Sequence, residues 1–162
     1  MVTKDEESLR IIVGFNRKYT PNDLIDLEEA KKFIESTTDF KLTNSDSSYR
    51  IDFYNESEKE ELLVHSDGKI SLEKVVDNAK TEIPELIKEG YEMVVGLKEL
   101  GFVYKKELSL LIRKEENASE IYNNLEPELN KTIGEIFGED IKTTYRDYGH
   151  LFRVDYSPSD TF

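Results

Sequence analysis

His65 and His150 are the only histidines in the chain, and it contains no cysteine. Any metal site must therefore borrow carboxylates, and a two-imidazole acid/base pair would use both rings. Sites of that kind place His-x-Thr or His-x-Ser in each of two halves. Here the residues read His65-Ser66-Asp67 and His150-Leu151-Phe152. The pattern is not met, and each histidine reads as a strand-end residue beside a turn. Asp67-Gly68-Lys69 has the Asp-Gly of a calcium loop without its alternating ligands, so a hairpin turn is the expectation. Gly134 and Gly138 are followed by no phosphate-loop Lys-Ser/Thr. The carboxylates at Glu28-Glu29, Glu58 to Glu61 and Glu115-Glu116 could supply bases or ligands, but helix surfaces and loops ordinarily carry such acids. No catalytic residue, metal or cofactor is assigned.

The absence of cysteine removes disulfide frameworks, thiol catalysis and Cys-ligated zinc. The charged segment Met1 to Arg10 fits neither a signal nor a transit peptide. No apolar run approaches the roughly 18 residues of a membrane-spanning helix. The expected location is the cytoplasm or another reducing space, with no membrane partner. At 162 residues, with eight Phe and nine Tyr, the chain is long and aromatic enough for one globular domain.

Thirty-five acids against 22 bases give a formal charge of −13. Such a field repels nucleic acid unless the bases gather on one surface. Gly101-Phe102-Val103-Tyr104 resembles part of an RNA-recognition strand, but core packing accounts for its aromatics. Direct nucleic-acid binding is not expected. The acids are unevenly spread: Pro21 to Phe40 holds six against two lysines, and Ile121 to Asp140 holds five against one. Gly101 to Glu120 and Ile141 to Phe162 are each balanced.

Leu9, Ile11, Val13 and Phe15 alternate with Arg10, Ile12, Gly14 and Asn16, the period of a half-buried strand. Thr20 and Pro21 predict the start of a helix with an apolar stripe of Leu24, Leu27, Ala30, Phe33 and Ile34. A hairpin is predicted over Phe40 to Thr43 and Tyr49 to Tyr54, then a strand over Glu61 to Ser66 ending at Asp67-Gly68. Ser71 predicts a helix N-cap, Pro84 a kink or restart, and Gly101 the end of a helical stretch over 71–101. Phe102 to Arg113 reads as a strand with a bulge near Lys105 and Lys106. Asn117 and Glu120 form a capping box for a helix bent near Pro127. A final hairpin runs Ile141 to Arg146 and His150 to Tyr156, with a loose tail after it.

Strand, helix and hairpin occur twice in that order. Phe40 to Thr43 aligns with Ile141 to Thr144, Tyr49 to Phe53 with Phe152 to Tyr156, and Leu9 to Val13 with Leu108 to Ile112. The expected fold is α+β, an antiparallel or mixed sheet packed with helices. It is built by duplication of a βαββ unit, about 8–66 and 107–157, joined by central helices within one domain. Arg50 with Asp52, and Arg153 with Asp155, are expected as cross-strand ion pairs on the solvent side.

The leading functional expectation is a non-enzymatic protein-binding module, such as a stoichiometric inhibitor of the toxin-immunity or phage anti-defence type. It would engage a basic, nucleic-acid-binding protein through an acidic field acting as a nucleic-acid mimic. The contact residues expected are Asp23, Asp26, Glu28 and Glu29 on one helix, and Glu126, Glu128, Glu135, Glu139 and Asp140 on the other. Tyr148 at the last turn is the exposed aromatic anchor. The alternative is a small-molecule sensor or unrecognised enzyme with a pocket between the halves, using His65, Arg50, Arg153 and Tyr104. A homodimer through a free sheet edge is the third reading.

Overall fold

Ile11, Val13 and Phe15 of β1 (Leu9–Phe15) are enclosed, while Ile12 and Gly14 between them stay partly accessible. The strands Arg50–Asn55, Glu60–His65 and Leu151–Pro158 keep that period, because a pleated strand sends successive side chains to opposite faces. The computed structural model describes residues 9–15, 26–45, 49–66, 69–98, 108–113, 118–138, 141–148 and 151–158. The further strands are β2 (Lys41–Asn44), β3 (Arg50–Asn55), β4 (Glu60–His65), β5 (Ile70–Val76), β6 (Leu108–Arg113), β7 (Ile141–Asp147) and β8 (Leu151–Pro158). The helices are α1 (Leu27–Thr37), α2 (Ala79–Lys98) and α3 (Ala118–Phe137).

The chain is α+β, with one eight-stranded sheet ordered β2-β3-β4-β5-β1-β6-β8-β7. Every pairing is antiparallel. All three helices cover the same face. Phe15 and Leu72 meet α2 at Gly90, Phe33 of α1 meets α2 at Gly96, and Tyr122 of α3 stacks on Tyr145 with ring centroids 4.4 Å apart. Between the layers lies one core that includes Ile34, Phe40, Phe53, Leu62, Ile83, Leu110, Leu129 and Phe152. Among the described residues, no helix lies over the other sheet face.

The strand-helix-hairpin order recurs as β1-α1-β2-β3 and β6-α3-β7-β8, as the duplicated unit requires. β1 and β6 pair at the centre of the sheet, with Ile12 opposite Leu111. Those two residues are also equivalent in the alignment of Leu9–Val13 with Leu108–Ile112, so a local twofold passes through that pair. The hairpins differ in position. β8 lies beside β6, whereas the strand beside β1 is β5 and not β3. Tyr49–Phe53 and Phe152–Tyr156 thus align in sequence but occupy non-equivalent sheet positions.

Three element boundaries are corrected. α1 begins at Leu27, with Asp26 as its N-cap; Thr20 and Pro21 fall outside the described residues. Asp26 has extended backbone geometry, and its carboxylate accepts from the Glu28 N–H at 3.0 Å. Ser71 caps no helix but lies inside β5, and α2 begins eight residues later at Ala79. The Asp77 and Asn78 N–H groups donate to Glu82 at 2.9 and 2.8 Å, satisfying donors that the helix start leaves open. Finally, α2 and α3 continue through Pro84 and Pro127 as single helices.

Replacing Asp26 by Ala removes the side-chain acceptor at α1. A loss of about 1 kcal/mol is expected in chemical denaturation, with Asp26→Asn retaining most of it.

Candidate functional site

The three helices, with the Asp26 cap, carry twelve acids and six lysines and no arginine. Because all three lie on one side of the sheet, their outer surfaces form one acidic layer. Asp26, Glu28 and Glu29 are exposed at the start of α1, and Glu128 and Glu135 are exposed on α3. Glu126 is partly covered and accepts from the Tyr122 hydroxyl at 3.4 Å. Glu135 pairs with Lys88 of α2 at 3.4 Å; both are about half exposed, so the pair contributes little to stability. α2 separates α1 from α3 and adds exposed Glu85 and Glu92. Asp23, Glu139 and Asp140 lie outside the described residues. Tyr148 is 52% exposed where β7 turns towards β8, and its N–H donates to the Leu151 carbonyl at 2.8 Å.

The uncovered sheet face has the opposite character. Five of the six arginines are on described residues, and all five occupy the open parity: Arg10, Arg50, Arg113, Arg146 and Arg153. Arg10 pairs with Glu73 on the neighbouring strand. Arg50 holds Asp52 at 2.8 Å and Arg153 holds Asp155 at 2.9 Å. These last two pairs run along one strand instead of across two, since residues i and i+2 share a face. Ser109 joins the second pair, its hydroxyl donating to Asp155 at 2.7 Å.

His65 of β4 stands opposite Arg50 of β3, half-buried, with its N–H donating to the Lys69 carbonyl at 2.9 Å. Arg153 is four strand positions from His65, about 19 Å at the usual spacing of strands. Tyr104 lies outside the described residues. The structure therefore does not bring His65, Arg50 and Arg153 together as a reacting group. A groove of about 330 Å³ lies under the end of α3, lined by Asn130, Gly134, Ile141, Thr143 and Tyr156. It belongs to the second unit and not to the junction between the halves. The Tyr156 hydroxyl is buried without a hydrogen-bond partner, and burial first, then Tyr122 and Glu126, raise its pKa.

One buried polar cluster was not singled out from sequence. Glu60 is 2% exposed on the helix-covered face of β4, beside Lys74 of β5 and Glu89 of α2. The Lys74 ammonium lies 3.2 Å from Glu58 and 3.9 Å from both Glu60 and Glu82. Burial would lower the Lys74 pKa, but the Glu58 hydrogen bond and the charges of Glu60, Glu58 and Glu82 outweigh it and raise the value. Burial, followed by the hydrogen bond and charge of Glu89, lifts Glu60 to about 8. Burial also raises Glu89. Were both carboxyls ionised, neither could donate, and the enclosed Oε2 of Glu60 would stay unpaired. A proton on Glu60 gives that site its donor. Lysine already supplies the cation here, and no group of three or more His, Cys, Asp or Glu among the described residues could hold a metal ion.

No protein-family model matches the sequence, and no curated protein matches it. Among solved structures, a chain described as Methanococcus jannaschii TBP aligns at a TM-score of 0.41 and 12% identity, covering 92% of this chain and 86% of that one. At that level of likeness neither an activity nor a partner follows. No helix among the described residues is long and apolar enough to cross a membrane.

Proposed function

We propose that this chain is a non-enzymatic protein-binding module that engages a basic, nucleic-acid-binding protein through its helical layer, in the manner of a stoichiometric inhibitor. The observation that carries the reading is the placement of both acidic helices on one side of the sheet, with Asp26, Glu28, Glu29, Glu128 and Glu135 facing solvent. Sequence separation alone leaves those acids unrelated; a shared layer sums their fields. Such a field accelerates encounter with a basic surface and competes with nucleic acid for it.

Affinity capture from the source cell tests this, with wild-type chain and a D26K/E29K/E128K/E135K variant as parallel baits. A basic protein is expected on the wild-type bait at about 0.05 M salt, largely lost at about 0.3 M where screening shortens to a few Å. The variant is expected to retain none of it. Equal capture by both baits would remove the helical layer from the interaction.

A further inference from the structure

Arginine pairs at the centre and one end of the uncovered sheet face break a rule of sheet assembly. Arg10 of β1 stands directly opposite Arg113 of β6, and Arg146 of β7 stands directly opposite Arg153 of β8. Like charges in directly opposed positions destabilise a strand pair. Glu73 relieves Arg10 and Asp155 relieves Arg153. Arg113 and Arg146 are exposed and have no ion pair among the described residues. The chain has 35 acids available, yet on β1, β6, β8 and β7 the open face carries Asp155 alone among acids. A local cost that the fold compensates at only one arginine of each pair marks a surface kept for something else.

Apolar side chains are interleaved with these arginines. Leu151 lies opposite Arg113, Leu111 opposite Arg153, and Ile12 opposite Leu111, all partly accessible. We infer that the Arg10, Arg113, Arg153 and Arg146 cluster is a docking surface for an acidic, amphipathic polypeptide segment, distinct from the helical layer on the other side. Guanidinium forks take carboxylates in paired hydrogen bonds, and the leucines and isoleucine between them take the segment's apolar side chains. A nucleic-acid backbone would match the charge but leave that apolar surface unused. Its charges, one per about 1.7 Å of duplex, would also run past the cluster onto a chain of net charge −13. A short acidic segment ends where the arginines end.

The probe is a labelled peptide repeating Glu-Ser-Leu-Ser, about eight residues long, so that when extended at about 3.3 Å per residue its Glu and Leu side chains share one face and reach across the four strands that carry the arginines. Fluorescence anisotropy with the full chain is expected to show saturable binding. Arg113→Glu with Arg146→Glu should weaken it at least tenfold, about the lower range for truncating charge pairs at an interface. Circular dichroism checks that the doubly substituted chain is folded. Arg113→Lys with Arg146→Lys, which keeps charge but loses the fork, should fall between. The peptide titration needs no partner of the helical layer, so failure here stays separable from failure of the helical reading. Four results would overturn the inference: no peptide binding, equal binding of a Glu-Ser peptide, tighter binding of a DNA duplex, or self-association that Arg113→Glu abolishes.

Discussion

Gly90→Ala is expected to destabilise the chain by about 1–3 kcal/mol, the range for overfilling a packed core. Helix propensity alone favours the substitution by about 1 kcal/mol, because glycine loses the most backbone freedom in a helix. Packing reverses the sign. A Cβ at Gly90 would stand 2.5 Å from a ring carbon of Phe15 and 3.2 Å from a methyl of Leu72. Phe15 is 1% exposed and Leu72 fully enclosed, so neither can swing away without moving its strand. α2 approaches β1 and β5 this closely only because position 90 has no side chain. Gly134 in α3 is the internal control: a Cβ there meets nothing within 4 Å. Gly134→Ala should therefore stabilise, by about 0.5–1 kcal/mol. Thermal melts of the two variants should move in opposite directions. Equal shifts would contradict the close approach at Gly90.

Glu60→Gln is expected to raise the melting temperature around pH 8 and to flatten its dependence on pH below that. The folded chain holds the Glu60 proton up to about pH 8, while the unfolded chain releases it in the ordinary carboxylate range. Stability from this proton is complete below that ordinary range and is lost progressively as pH rises towards the folded value. One group with such a shift contributes a slope of up to about 1.4 kcal/mol per pH unit through that window. Glutamine is a neutral isostere whose amide can still donate to Glu89, so the variant lacks the slope but keeps the hydrogen bond. The measurement is the difference between the two melting curves from about pH 5 to about pH 8.5. Parallel curves would show that Glu60 is ionised in the fold throughout.

The same cluster explains why the sequence of β5 carries a helical signal. Ile70, Leu72 and Val76 keep the strand period, but the position between them is Lys74, whose ammonium enters the group of Glu58, Glu60 and Glu82. A partly buried lysine in the middle of the run hides its alternation, while Leu72, Val75, Val76 and Ala79 imitate a helical stripe. The sequence of β5 thus predicts a helix where the structure forms a strand. At α1, the Thr20-Pro21 signal competed with Asp26 and Glu29, a cap acid followed three residues later by glutamate. The latter is the start the structure uses.

β1, both hairpins and the buried parity of Phe152 and Tyr156 were legible because alternation is local. The acidity of the helices was equally plain. What could not be read was the arginine arrangement, since Arg10 and Arg113 become neighbours only once β1 and β6 pair. The two-sided distribution of charge, acids over the helices and arginines over the open sheet, is likewise a product of strand order.

The proposed function requires the acids of the helical layer to act together on a basic partner. The most direct measurement is the association rate of that partner, once captured, with wild-type chain and with D26K/E29K/E128K/E135K, across ionic strengths from about 0.05 to about 0.3 M. The wild-type rate is expected to fall about tenfold or more with added salt, and the variant to associate slowly and with little salt dependence. Equal rates and equal salt dependence for the two chains would contradict the claim.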